Sequence, residues 1–126
     1  MNRTHVLPKI LLGVSLLGVS LTGCATAPEP TERVASTQAA IRSAEEVGAK
    51  QVPQAALHLQ LAHEQADRAK QLIQAGDNER AGYILMRAES DAELALAMAR
   101  ESSLRSDAQH ALERVRALKA QAAPGT

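Results

Sequence analysis

Alanine recurs at helical spacing through the middle of this chain, with almost nothing large beside it. Ala55, Leu59, Ala62, Ala66, Ala69 and Ile73 step by threes and fours, and so do Ala81, Leu85, Ala88, Ala92, Ala95 and Ala99. Apolar residues at that spacing define one face of an amphipathic helix. Phe and Trp are absent, and Tyr83 is the only aromatic residue. A core built this way draws on alanine, leucine and a few β-branched side chains. Alanine removes little surface from water, so such a core is thin and its stability marginal. Facing alanines also let helices approach near the lower end of the usual spacing of about 8–10 Å. The expected fold class is all-α: a three-helix antiparallel bundle, or hairpin with a helix laid alongside, ending in a long C-terminal helix.

The segments follow from the punctuation. A first helix is expected over about residues 32–49, with Val34, Thr37, Ile41, Ala44 and Gly48 as a narrow stripe. Arg42 with Glu46, and Glu46 with Lys50, are i,i+4 charge pairs on its wet side. Gly48 and Pro53 bracket a short break, and Pro53 suits the first turn of a second helix, over 53–75. Leu57, Leu61 and Leu72 widen that helix's apolar arc, which predicts packing on two sides and the middle place among three. Gly76 fits a helix C′ position and Asp77 an N-cap, so a third helix starts at once and runs back antiparallel. Its range is 77–122, within a helical domain of 32–122 and before a tail of 123–126.

After Ala99 the apolar positions move to a different face: Leu104, Ala108, Ala111, Val115 and Leu118. Either the helix breaks near Ser102 to Asp107 and folds back, with Ser106 and Gln109 as a capping box, or it continues and turns a new face outwards. Good helix formers throughout favour continuity. Glu101 with Arg105, and acidic residues at the start against Arg114, Arg116 and Lys119 at the end, support it. The stripe then either packs against the first helix or a folded-back segment, or is a coiled-coil seam for self-association or for a partner helix.

At the other end, Arg3 and Lys9 precede a 12-residue apolar run from Ile10 to Leu21. That is short of the roughly 20 residues a spanning helix needs, and it has the form of a secretory signal. The run closes on Leu21-Thr22-Gly23-Cys24. This resembles the lipobox of bacterial lipoproteins. The resemblance implies cleavage after residue 23, acyl chains (palmitate among them) on Cys24, and a Pro-containing tether over 24–31. Two or more acyl chains anchor stably where one does not. Ala25 stands where aspartate would retain such a protein at the inner membrane. In a host with two membranes the resemblance therefore implies an outer-membrane lipid anchor facing the periplasm.

Ser43-Ala44-Glu45-Glu46-Val47-Gly48-Ala49, then Pro53, Gly76-Asp77 and Asp91-Ala92-Glu93-Leu94-Ala95-Leu96-Ala97, resemble an alanine-rich helical family of small bacterial envelope lipoproteins, domain of unknown function 4398. The likeness covers about residues 36–100, with Val52 where tyrosine is usual. Members sometimes precede an OmpA-like peptidoglycan-binding domain, and wall binding by that route is not expected here. The resemblance implies an address and a helical fold, and no catalytic residue. The ending Pro124-Gly125-Thr126 differs from the terminal lysine through which the major murein lipoprotein joins the wall.

Little in the chain points to chemistry. With Arg3 and Lys9 removed, twelve basic residues face fourteen acidic ones, a net charge of −2. That offers no clustered basic surface for nucleic acid. Cys24 is the only cysteine, so neither a disulfide framework nor a zinc site is expected. His63 and Asp67 could share a metal, but zinc wants three or four ligands. Ser106, Asp107 and His110 put triad residue types together on one helix face, without a pocket or oxyanion hole. His58 and Gln65 fall inside an apolar arc, where a histidine is usually a hydrogen-bonded structural residue.

The expected function is therefore non-enzymatic, without metal or cofactor. It is that of a lipid-anchored periplasmic scaffold or adaptor, self-associating or holding another envelope protein. The alternative is an accessory lipoprotein of an export or wall-assembly complex, binding a ligand or partner in a groove around His58 and Tyr83.

Overall fold

The computed structural model describes residues 27–122. The lipobox residues Leu21, Thr22, Gly23 and Cys24 lie outside the described residues, as does the tail at 123–126. Among the described residues there are three α-helices: α1 (Thr31–Glu46), α2 (Pro53–Gln74) and α3 (Asn78–Ala122). A single 3-10 turn, Ala49–Gln51, lies between α1 and α2.

Each boundary has a local cause. Helix α1 starts behind Pro30, whose missing N–H is no loss at a helix N-terminus. It stops at Glu46, three residues before the expected Ala49. Gly48 takes a left-handed φ of +83°, and its N–H donates to the Glu45 carbonyl at 3.0 Å. That closes the helix and turns the chain, so Gly48 is a stop signal rather than a stripe residue. Ala49 in the 3-10 turn takes the buried place. Val52 is extended ahead of Pro53, as a residue before proline must be, and Pro53 opens α2. Between α2 and α3, Gly76 (φ +78°) donates to the Ile73 carbonyl and Asp77 N–H to the Leu72 carbonyl, both at 2.9 Å. This pair of bonds is the Schellman closure. Asp77 then caps α3, its Oδ1 accepting from Arg80 N–H at 3.3 Å.

The core is the alanine seam. Ala55, Ala62, Ala69, Ala81, Ala88, Ala92 and Ala95 are fully buried, and Leu59 and Leu85 are 2 % exposed. Ile41 and Ala44 of α1 close it. Thr37 is buried too, and its hydroxyl donates to the Leu85 carbonyl at 3.2 Å, fixing the register of α1 on α3.

The middle helix is α3, not α2. Both α1 and α2 pack chiefly against α3 and touch each other less. The extra leucines of α2 explain the difference: Leu57 is 57 % exposed, and Leu61 and Leu72 are half-buried. They flank the seam rather than forming a second one.

Helix α3 is continuous for 45 residues, about 68 Å at 1.5 Å per residue. Its last buried residue is Ala99, and every residue from Arg100 to Ala122 is exposed. The final 23 residues, about 34 Å, thus overhang the bundle. At the opposite end the Asn78 side chain donates to the Ala27 carbonyl at 2.6 Å. The N-terminal segment therefore joins the bundle at the start of α3, and the overhang leaves from the far end.

Candidate interaction surface

The overhang presents large apolar groups to solvent: Leu104 is 69 % exposed, Leu112 57 %, Val115 47 % and Leu118 64 %. Ala108 and Ala111 lie between them, also exposed. The chain does not fold back, and α1 ends short of this stripe.

The stripe is longer than its sequence spacing first suggests. Tyr83 (59 %), Met86 (47 %) and Leu94 (41 %) are also exposed on α3. At about 100° per residue they fall on the same side of the helix as Leu104, Val115 and Leu118, roughly opposite the seam from Ala81 to Ala99. Helix α3 thus has two apolar faces, one covered by α1 and α2 and the other bare from Tyr83 to Leu118. A seven-residue repeat (Tyr83, Ser90, Ala97, Leu104, Ala111, Leu118) carries the signal for the second face. It is weak in the sequence because Ser90 and Ala97 interrupt it.

The polar residues singled out above find structural partners. His58 Nδ1 lies 2.9 Å from Asp91 Oδ1, and Gln65 Nε2 donates to Asp91 Oδ2 at 2.7 Å. One carboxylate on α3 thus receives two side chains from α2, seven residues apart. Asp91 follows Ser90 at the border of the seam, and nothing in its spacing marks it as their acceptor. Gln65 Oε1 is buried without a partner. His63 and Asp67 part company: His63 Nε2 lies 3.3 Å from Glu45 Oε1, and Asp67 accepts from Lys70 at 2.8 Å. Lys50 pairs with Glu45 at 2.8 Å, not with Glu46 as helical spacing predicts, because the turn at Gly48 redirects it. The hydrogen bond from Lys50, followed by its charge and that of His63, holds the Glu45 carboxyl below the usual glutamate range.

Tyr83 lies about two turns of α3 before Asp91, so His58 and Tyr83 do not converge on one groove. Ser106, Asp107 and His110 stand exposed on the overhang. The shallow depression there is lined by α3 alone, from Asp107 to Ala117. Among the described residues no three of His, Cys, Asp and Glu converge as metal ligands, and no helix is long and apolar enough to cross a membrane.

Neither curated proteins nor solved structures gave a match. A family described as "Domain of unknown function (DUF4398)" matches residues 32–111, which takes in all three helices and the first half of the overhang. The chain therefore belongs to the DUF4398 family.

Proposed function

We propose that this protein is a lipid-tethered, non-enzymatic helical adaptor of the cell envelope. In this reading residues 1–23 are removed, Cys24 carries the acyl chains, and the protein hangs from the outer membrane into the periplasm. The bundle is the base, and the outward face of α3 is the working surface.

The observation that carries the reading is the polarity of the rod. The Ala27 carbonyl accepts from the Asn78 side chain at one end, and the bare stripe runs to Leu118 at the other. Such an arrangement leaves the outward face of α3 bare along its length, beside an anchor at one end. An apolar stripe of this length on an otherwise charged helix is the form that a partner helix recognises.

The test is acylation and fractionation in a bacterium with two membranes. The wild-type chain is expected to incorporate a labelled palmitate analogue and to sediment with outer membranes. Cys24→Ser is expected to lose both properties, and Ala25→Asp to move the protein to the inner membrane. Label, or sedimentation with outer membranes, that survives Cys24→Ser overturns the tether.

A further inference from the structure

The bare face of α3 fits one occupant by charge: a second copy of itself, running antiparallel. We infer that two chains pair through Tyr83–Leu118 about a two-fold axis near Ser102 and Ser103, each overhang covering the outward face of the other's bundle. This rests on the adaptor reading above and names the partner.

The charges divide unevenly along the chain. Residues 27–99 carry seven basic and eleven acidic side chains, and residues 100–122 carry five and three. The bundle is therefore acidic and the overhang basic. An antiparallel pair brings each overhang onto the partner's bundle, whereas a parallel pair sets like on like.

The flanks of the stripe choose orientation and register more sharply. In antiparallel helices with a heptad seam, the residues on one border meet the same border of the partner. With Tyr83, Leu104 and Leu118 on the seam, one border is Met86, Glu93, Arg100, Asp107 and Arg114. When Ala97 faces the partner's Ala108, Glu93 meets the partner's Arg114 and Arg100 meets the partner's Asp107. The two-fold axis repeats each pair, which makes four opposite-charge contacts and no like-charge one on that border. The opposite border pairs Asp91 with Leu112 and Met98 with Arg105, again without like charges.

A slip of one heptad in one direction puts Arg100 on Arg100 and Glu93 on Asp107. In the other direction it puts Arg100 on Arg114 and Asp107 on Asp107. A parallel pair sets Arg100 against Arg105 and Arg114 against Lys119. Of the four arrangements, only the one that sets Ala97 on Ala108 has no like-charge contact along its borders.

The layers between the borders suit close approach. Ala97 meets Ala108, Ser90 meets Val115, and Ala111 meets Leu94. Leu118 faces Arg87, whose aliphatic stem can lie over it. The central layer sets Leu104 beside Glu101, and Glu101 is ion-paired with Arg105 of its own chain. A polar residue inside a seam fixes register at a cost in strength, so the expected dimer is specific and of moderate affinity. Exposure agrees with this geometry: Tyr83, Met86, Leu94, Leu104, Val115 and Leu118 are left bare in the single chain. In the dimer the two tether ends stand about 74 Å apart at 1.5 Å per residue. A rod lying along the membrane lets both lipidated ends reach the same surface through tethers of roughly 20 Å.

The test uses full chains carrying Cys24→Ser, so that no other thiol competes. Chains with Glu93→Cys are mixed with chains carrying Arg114→Cys and oxidised. A disulfide-linked dimer is expected in the mixture, several-fold above Arg114→Cys mixed with Lys119→Cys, which meet only in a parallel pair. Arg114→Glu is expected to weaken the dimer about tenfold or more, since both of its contacts become repulsive. Glu93→Arg with Arg114→Glu restores it. Equal cross-linking of the two mixtures, no rescue by the double reversal, or a monomer at every concentration overturns the inference. Acylation and fractionation of the wild-type chain judge the tether separately, so a failed dimer leaves that result standing.

Discussion

Ala92→Leu probes the idea that side-chain size sets how near these helices lie. Ala92 is fully buried among Ala88, Ala95 and the facing residues of α1 and α2. Leucine adds three heavy atoms at a place with no exposed surface. Overpacking of a close-packed interior costs about 1–3 kcal/mol. For a domain of this size each kcal/mol lowers the melting temperature by about 4–8 °C. The expected fall is therefore about 4–24 °C, read by circular dichroism at 222 nm at one fixed protein concentration. Ala117→Leu is the matched control. At about 100° per residue it points the same way from α3 as the alanine seam, but it lies beyond the end of the bundle and is exposed. Its melting temperature is expected to stay within about 2 °C of wild type, as surface substitutions are near neutral. If Ala92→Leu melts with the control, alanine does not limit the approach of the helices and the packing account fails.

Three further outcomes follow from particular contacts. Asp91→Ala strands His58 and Gln65 at the α2–α3 contact and is expected to cost about 1–3 kcal/mol in urea unfolding, while Asp91→Asn, which keeps an acceptor, costs less. Gly76→Ala meets no atom within 4 Å of the new Cβ, so its cost, about 1–2 kcal/mol by the same assay, comes from the left-handed φ of +78° alone. Because the folded Glu45 pKa is depressed, its tie to Lys50 and His63 is fully present above the ordinary glutamate range and is lost as pH falls through the folded value. The acid limb of a stability–pH curve is therefore expected to be shallower in Glu45→Gln than in wild type, by a small amount because the side chain is 31 % exposed.

The alanine repeats made the fold legible. Spacing of three and four between Ala55 and Ala69, and between Ala81 and Ala99, marks residues that are all buried. Gly76-Asp77 carried its turn in its residue types, because a left-handed glycine followed by a capping aspartate has few other uses. The order of the helices was not legible. A wide apolar arc on α2 looks the same whether its leucines are sandwiched or flank a seam, and only the exposure of Leu57 separates the two. Gly48 falls at helical spacing as well as at a C′ position, and the left-handed φ decided between them. Asp91 was hidden for another reason: an acceptor for two side chains on a neighbouring helix leaves no periodic trace. The stripe on the overhang could be read from Leu104 onward. Its continuation through Leu94, Met86 and Tyr83 could not, because those residues lie beside the bundle in sequence and look like candidates for its core.

The most direct test of the account is the distance between α3 and its own copy. A single spin label at Ala120, on the side of α3 away from the stripe, in the full chain with Cys24→Ser, reports it by pulsed dipolar spectroscopy. An antiparallel pair centred near Ser102 and Ser103 predicts an intermolecular distance of about 50–60 Å at 1.5 Å rise per residue. A distance below about 35 Å, as parallel helices spaced about 10 Å apart with outward labels would give, or no intermolecular signal at all, would contradict it.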